Sequence, residues 1–310
     1  LLPRAAAYHD GALLVACQGN DTLVEYDARA IDPARTERRR WRLPAGPDGV
    51  AVDSLQGRAV VHARFDHRLA VVPLGGGAAR EIELTRPARP ALTAAQEAGR
   101  RLFHAAHDER ISADGRACAS CHPDGREDAL TWSTPDGPRQ TLMLTGRLPE
   151  SGPYGWSGAS TSVDDHVQQT FTRLGGHGLP DDARSALVGY ISTLGAPRAG
   201  RPTVWAQRQQ ALVERGRALF TSAEASCATC HPGGLSDGQS HAVAVRARAD
   251  QSDRLDTPSL RFLGQSAPYF HDGRYATLGQ MLEAADHHMG QSLQLEVSDR
   301  RALLAYLETL

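Results

Sequence analysis

The sequence predicts a mainly α fold, two tandem helical modules preceded by an antiparallel β segment, and three observations predict it. The pentapeptide Cys-x-x-Cys-His occurs twice, as Cys118-Ala-Ser-Cys121-His122 and Cys227-Ala-Thr-Cys230-His231. Each copy lies inside a longer repeat: Gly99-Arg-Arg-Leu-Phe103 and Gly216-Arg-Ala-Leu-Phe220 precede them, and Pro-x-Gly follows (Pro123, Gly125; Pro232, Gly234). Both halves then close on segments with apolar residues at i, i+3 and i+4, Ala183 to Leu194 and Asp299 to Leu310, the mark of an amphipathic helix. The residues before the first repeat instead carry short apolar runs divided by Gly, Asn and Asp, a strand signature.

Taken in chain order, Gly11 to Cys17 leading to Leu23-Val-Glu-Tyr26 aligns with Gly57 to Ala63 leading to Leu69-Ala-Val-Val72, at a period of 46 (Gly11 to Gly57). Strands at that period resemble β-propeller blades of the YVTN type. Two blades cannot close a ring that usually takes four to eight, so further blades, a partner chain or an independent β unit must complete it. Cys17 ends an apolar run and reads as a buried strand thiol. The run Arg38-Arg39-Arg40 reads as a solvated loop, and Arg86-Pro-Ala-Arg-Pro90 as a linker. The expected domains are 1–88, 91–197 and 203–310.

The pentapeptide has a physical reason. Two thiols one short turn apart form thioethers to the two vinyl groups of one porphyrin, and the adjacent imidazole becomes the axial iron ligand. Two copies therefore imply two covalently bound c-type haems, on Cys118, Cys121 and His122 and on Cys227, Cys230 and His231. A further pair of matching stretches, Pro153-Tyr154-Gly-Trp156-Ser-Gly158 and Pro268-Tyr269-Phe-His271-Asp-Gly273, extends the duplication, and each is followed by a helix-like stretch.

From about Thr93 to Leu310 the chain resembles the bacterial di-haem cytochrome c peroxidases and MauG-like enzymes. The residues that carry this are the Gly-Arg-Arg-Leu-Phe stretch, both pentapeptides, Thr257-Pro-Ser-Leu-Arg261 and Ala267 to Gly273. The resemblance implies one haem per domain, an electron-transfer haem in the C-terminal half and a peroxide-reacting haem in the N-terminal half. It implies that Trp156 lies on the electron path between haems, and that His271 bonds a haem propionate or holds its turn. It also implies a calcium ion, partly on backbone carbonyls of Ser266 to Pro268.

The second axial position decides function. Met289, before Gly290, is available as a thioether ligand to haem two, and a His/Met pair raises the potential as electron transfer requires. Met281 and His288 are the alternatives, since Met281 and Met289 would flank Ala285 at i−4 and i+4 on one helix face. Setting Met289-Gly290 against Leu174-Gly175 puts a leucine, which cannot ligate iron, in the first module, and so leaves its haem open. Where the family has a distal Gln this chain has His166, which serves as distal base, ligates haem one, or lies on a helix surface; His177 is the next candidate. The family's distal Glu falls in Gly175-Gly176, and its exchangeable distal His falls on Pro138.

Composition narrows the classes that remain. Lys+Arg total 34 and are all Arg, against 36 Asp+Glu, giving net charge −2, so nothing indicates a nucleic-acid partner. No apolar run reaches the roughly 18 residues of a membrane helix. Haem attachment implies an exported, periplasmic or extracellular protein, and the missing initiator Met and signal peptide imply a processed or partial chain. The function expected is a peroxidase/MauG-like di-haem oxidoreductase using hydrogen peroxide and a redox partner protein. The alternative is a non-enzymatic electron-transfer cytochrome docked through its β segment to a larger assembly.

Overall fold

The computed structural model describes residues 1–85, 91–149, 151–196, 209–242, 248–285 and 287–310; the linker expected at Arg86 to Pro90 lies outside them. The chain divides into two compact units, Leu1–Ser120 with Leu174–Ile191 and Cys121–Arg173 with Ser192–Leu310.

In the first unit, strands β1 (Pro3–His9), β2 (Ala12–Cys17), β3 (Thr22–Asp27) and β4 (Glu37–Arg42) form one antiparallel meander. Strands β5 (Pro47–Asp53), β6 (Arg58–Ala63), β7 (Arg68–Pro73) and β8 (Arg80–Glu83) form another. The first hairpin turns on Asp10-Gly11, both at positive φ (43° and 77°), the two-residue geometry whose twist matches that of the flanking strands. Alternate residues face inward: Leu14, Leu23 and Trp41 of one sheet and Val61, Ala70 and Val72 of the other share a single apolar cluster. Cys17 is fully buried in β2, as the apolar run implies. The Arg38-Arg39-Arg40 run is strand β4 rather than a loop. Arg39 reaches across the ladder to Glu25, Nε to Oε2 2.8 Å, and stacks 5.0 Å from the Trp41 ring centroid, so cross-strand pairing overrides the local charge.

Helix α1 (Ala94–His104) begins at a capping box in which Thr93 accepts from the Gln96 N–H. It receives the β sheets through Phe65, whose ring lies 4.3 Å from the Arg100 guanidinium and 5.0 Å from the His104 ring. Its other partner is α4 (Asp181–Ile191), met at Gly99, where a Cβ would strike the Ala186 carbonyl. The second unit repeats this contact. Helix α5 (Gln210–Phe220) packs on α7 (Val297–Leu307) at Gly216, where a Cβ would strike the Ala302 carbonyl. Phe103 meets Tyr190, and Phe220 meets Tyr306, each at 5.4 Å between ring centroids.

The remaining helices are α2 (Cys118–Cys121), α3 (Val163–Arg173) and α6 (Leu278–Glu283). Hairpins β9 (Thr131–Thr134) with β10 (Gly137–Gln140) and β11 (Ser240–Ala242) with β12 (Arg254–Asp256) complete the second unit. The expected mainly α class does not hold: the chain is 29% helical and 24% strand, with four antiparallel sheets. The physical reason is twofold. The β meanders supply eight strands, and frequent Gly and Pro cut the remainder, among the described residues, into helices of at most 11 residues joined by turns.

Candidate functional site

Both pentapeptides run into the same backbone path. His122 sits at φ −116°, ψ 63° and His231 at φ −114°, ψ 63°. Asp124 and Gly233 then take left-handed φ of 54° and 61°, and Gly125 and Gly234 both take 79°. Each path closes on a hydrogen bond of 3.0 Å, from Gly125 N–H to the His122 carbonyl and from Gly234 N–H to the His231 carbonyl. The turn aims each imidazole Nδ1 at the carbonyl four residues on, His122 at Arg126 (3.3 Å) and His231 at Leu235 (3.2 Å). An Nδ1–H donated there fixes the tautomer and leaves the Nε2 lone pair for a metal. Burial lowers the His122 pKa to about 4 and also lowers that of His231, so both rings are neutral, the ligating form.

In the second unit His231 lines a cavity of ≈ 190 Å³. Apolar side chains dominate its wall, among them Phe220, Leu255, Leu260, Phe270 and Leu282, with Cys227 and Cys230 beside the imidazole. Burial pushes the Cys227 thiol up to about 11, and among the described residues all five cysteines are free of disulfides. Arg147 also lines the cavity. Its Nε donates to the Arg261 carbonyl at 2.6 Å, but its Nη2 is buried without a partner, and burial lowers its pKa to about 10. Apolar walls, two thiols, a neutral imidazole and a guanidinium whose Nη2 is buried without a partner fit a haem, whose carboxylates such a cation would meet.

The opposite-ligand candidates Met281, His288 and Met289 line the same cavity, together with His287. Their expected common helix face does not exist, because α6 ends at Glu283 and Ala284 is extended (φ −81°, ψ 147°). His287 folds the chain back instead: its Nε2 donates to the Met281 carbonyl at 2.7 Å and its Nδ1 accepts the Met289 N–H at 3.2 Å. Both ring nitrogens are thereby engaged in holding Met289. His288 is exposed, while Met281 and Met289 are half-buried against the core. Gly290 and Gly175 take the same left-handed turn, φ 63° and 71°, after Met289 and Leu174 respectively.

Trp156 also lines this cavity. Its indole Nε1 donates to the Gln140 carbonyl at 2.7 Å, and its ring stands edge-on to His271 with centroids 6.3 Å apart. His271 is 1% exposed. Its Nε2 lies 3.0 Å from Asp250 Oδ2, whose other oxygen takes Arg139 Nη1 at 2.5 Å, and its Nδ1 is buried without a partner. The two matching turns are bonded reciprocally: Gln140 N–H donates to the His271 carbonyl (2.6 Å) and Asp256 N–H to the Trp156 carbonyl (2.9 Å).

His166, on α3, is partly buried and bonded through Nδ1 to the Ser160 hydroxyl at 3.2 Å; burial lowers its pKa, and it lies near enough to His122 to disfavour protonation of that ring. His177 is an exposed residue of the first unit whose main-chain N–H donates to Glu109. Sequence reasoning missed Arg147, Gln140, Asp250 and Asp256. Gln140 and Asp256 had a signal, since Gln140-Thr-Leu-Met-Leu144 repeats as Asp256-Thr-Pro-Ser-Leu260. Burial pushes the Asp256 carboxyl up to about 7, helped by the charge of Asp237. Asp237 Oδ2 also holds His241 Nε2 at 2.7 Å, and with Cys230 these form a trio of metal-ligating atoms within 4.8 Å of one another. A thioether at Cys230 would consume that trio's sulfur.

No protein-family model matches the chain. It is 28% identical over 278 residues to the methylamine utilization protein MauG of Methylorubrum extorquens, covering 68% of this chain and 76% of that protein. It is 30% identical over 141 residues to the cytochrome-c peroxidase IdrP2 of Denitromonas iodatirespirans, covering 31% of this chain and 38% of that one. Among solved structures, hydrazine synthase of Kuenenia stuttgartiensis superposes with TM-score 0.58 at 20% identity, covering 72% of this chain and 89% of that chain. A MauG-like protein associated with microbial copper homeostasis superposes with TM-score 0.52 at 19% identity, covering 73% and 93%. Both structural likenesses concern the fold.

Proposed function

We propose that this chain, a homologue of the MauG-like di-haem proteins, is an oxidoreductase of the MauG and cytochrome c peroxidase type that carries two haems c. The observation that carries this reading is the pair of half-buried imidazoles, His122 and His231, each oriented through Nδ1 by the carbonyl four residues on and each with its pKa lowered by desolvation. Bound haem supplies one-electron redox chemistry and, where its iron is open, reaction with peroxide.

The chain's own residues divide the work. Cys118 with Cys121 and Cys227 with Cys230 attach the porphyrins, and Arg147 meets a carboxylate of the second haem. Met289, whose N–H is held by His287, would offer that haem a thioether, which would suit it to electron transfer. Leu174, which matches Met289 in the duplication, would offer no donor atom to the first haem. His166, neutral and bonded to Ser160, moves a proton between the peroxide oxygens, a role for which exposed His177 is less suited. Trp156 shortens the electron path from the second haem. We read 91–197 and 203–310 as the two haem domains, the meanders of 1–88 as two propeller blades, and the protein as exported and served by a redox partner protein. Among the described residues, no helix is long and apolar enough to cross a membrane.

Intact mass should show two haem increments, and the ferric spectrum should contain one high-spin and one low-spin iron. His166→Ala should keep that spectrum and slow the reaction with peroxide about a hundredfold. Two low-spin irons inert to peroxide would replace this reading with the electron carrier. Met289→Ala should remove the thioether-to-iron band, and Met281→Ala should spare it.

A further inference from the structure

We propose that the Gln140 amide, rather than a calcium ion, clamps the Pro268–His271 turn against the Trp156 indole, so that this part of the site is held without a divalent cation. The clamp stands on geometry; its importance for electron flow rests on the role given to Trp156 above.

Calcium takes six to eight oxygen ligands at 2.3–2.6 Å, so a site for it must leave carbonyls free to converge. In the segment expected to supply them, one carbonyl is already taken. The Pro268 carbonyl accepts Gln140 Nε2 at 2.5 Å. The neighbouring Gln265 carbonyl accepts Arg126 Nη2 at 2.8 Å, and the Ser266 hydroxyl donates to Glu127 Oε1 at 2.8 Å. The Arg126 guanidinium lies 3.5 Å from Glu127 Oε1, so a fixed positive charge already stands where a cation would sit, and it faces a carboxylate whose Oε2 is buried without a partner.

Gln140 satisfies three groups at once. Its side chain holds Pro268, its N–H holds the His271 carbonyl at 2.6 Å, and its carbonyl receives the Trp156 indole N–H at 2.7 Å. It is 8% exposed, so water does not compete freely for these bonds. The matching position in the other half shows what the amide adds. Asp256 gives its N–H to the Trp156 carbonyl, but its Oδ1 is buried without a partner, whereas the Gln140 side chain carries amide hydrogens and donates one to Pro268.

The test uses haem-loaded protein and reads metal content and hydrogen exchange, so it holds whether or not Trp156 carries electrons. Elemental analysis of the protein as purified should find no calcium, and after dialysis against EDTA the peptide containing the Gln140 amide should exchange as slowly as before. Gln140→Met, which keeps the shape and removes the donor, should speed that exchange about tenfold, and added calcium should not reverse it. One calcium per chain that EDTA removes, with loss of protection that calcium restores, would overturn the proposal. So would unchanged protection in Gln140→Met. Should that variant fold poorly, the wild-type measurement alone still decides for or against the cation.

Discussion

The two pentapeptide loops agree closely in backbone angles, whereas the segments that follow the two Pro-Tyr turns diverge. After Trp156 the chain makes α3, an 11-residue helix that carries His166 and reaches Leu174-Gly175 directly. After His271 it makes α6, six residues long, then leaves the helix and folds His287 back so that Met289 comes to the cavity. The turns that aim His122 and His231 share their angles. On the function proposed above the opposite side differs, since Met289 would offer one haem a thioether where Leu174 would offer the other no donor atom.

The most drastic way to break this contrast is to copy the second half into the first. Leu174→Met should turn the open haem low-spin and remove its reaction with peroxide, read by ferric spectra and stopped-flow mixing. If the variant stays high-spin, Leu174 does not occupy the place that Met289 holds.

Asp256 sharpens the comparison with Gln140 through pH. Its carboxyl stands at about 7 against an ordinary 3.8, raised by burial and by Asp237. With the folded pKa above the unfolded one, its contribution to stability is fully present below the unfolded value and is lost as pH rises through about 7. Relative to Asp256→Asn, the wild type should therefore lose of order 3 kcal/mol between pH 4 and pH 8 in denaturant titrations. Parallel curves would mean that the carboxyl is paired or solvated.

The smallest expected effect tests what the halves share. Gly99→Ala and Gly216→Ala each place a Cβ against a facing carbonyl, costing about 3 kcal/mol of overpacking, offset by about 1 kcal/mol of helix propensity. Each should destabilise by about 2 kcal/mol in thermal or chemical unfolding. A neutral result at one glycine would show that its helix pair can part without loss.

Much of the site was legible because its residues are local in sequence: the thiols, the imidazoles and the glycine turns lie within eight positions of one another. The runs that form β2, β3, β6 and β7 were legible for the same reason, whereas β4, read as a loop from its arginines, and β1, β5 and β8 were not. The fold class was misread because helical closing segments were given the weight of whole modules, when Gly and Pro keep the helices short. The shared helix face of Met281 and Met289 failed because helical phase was extended past Glu283, where no local signal marks the break.

Sequence by itself determined the duplication, the two Cys-x-x-Cys-His motifs and the apolar runs of β2, β3, β6 and β7, since each follows from local spacing. Tertiary structure decided which carbonyl each imidazole faces, that His287 bonds both the Met281 carbonyl and the Met289 N–H, and that Gln140 meets Pro268 and Trp156. The Gln140 to Pro268 contact joins residues far apart in the chain, and the shorter contacts depend on turns whose energies are set by burial, which no spacing rule contains.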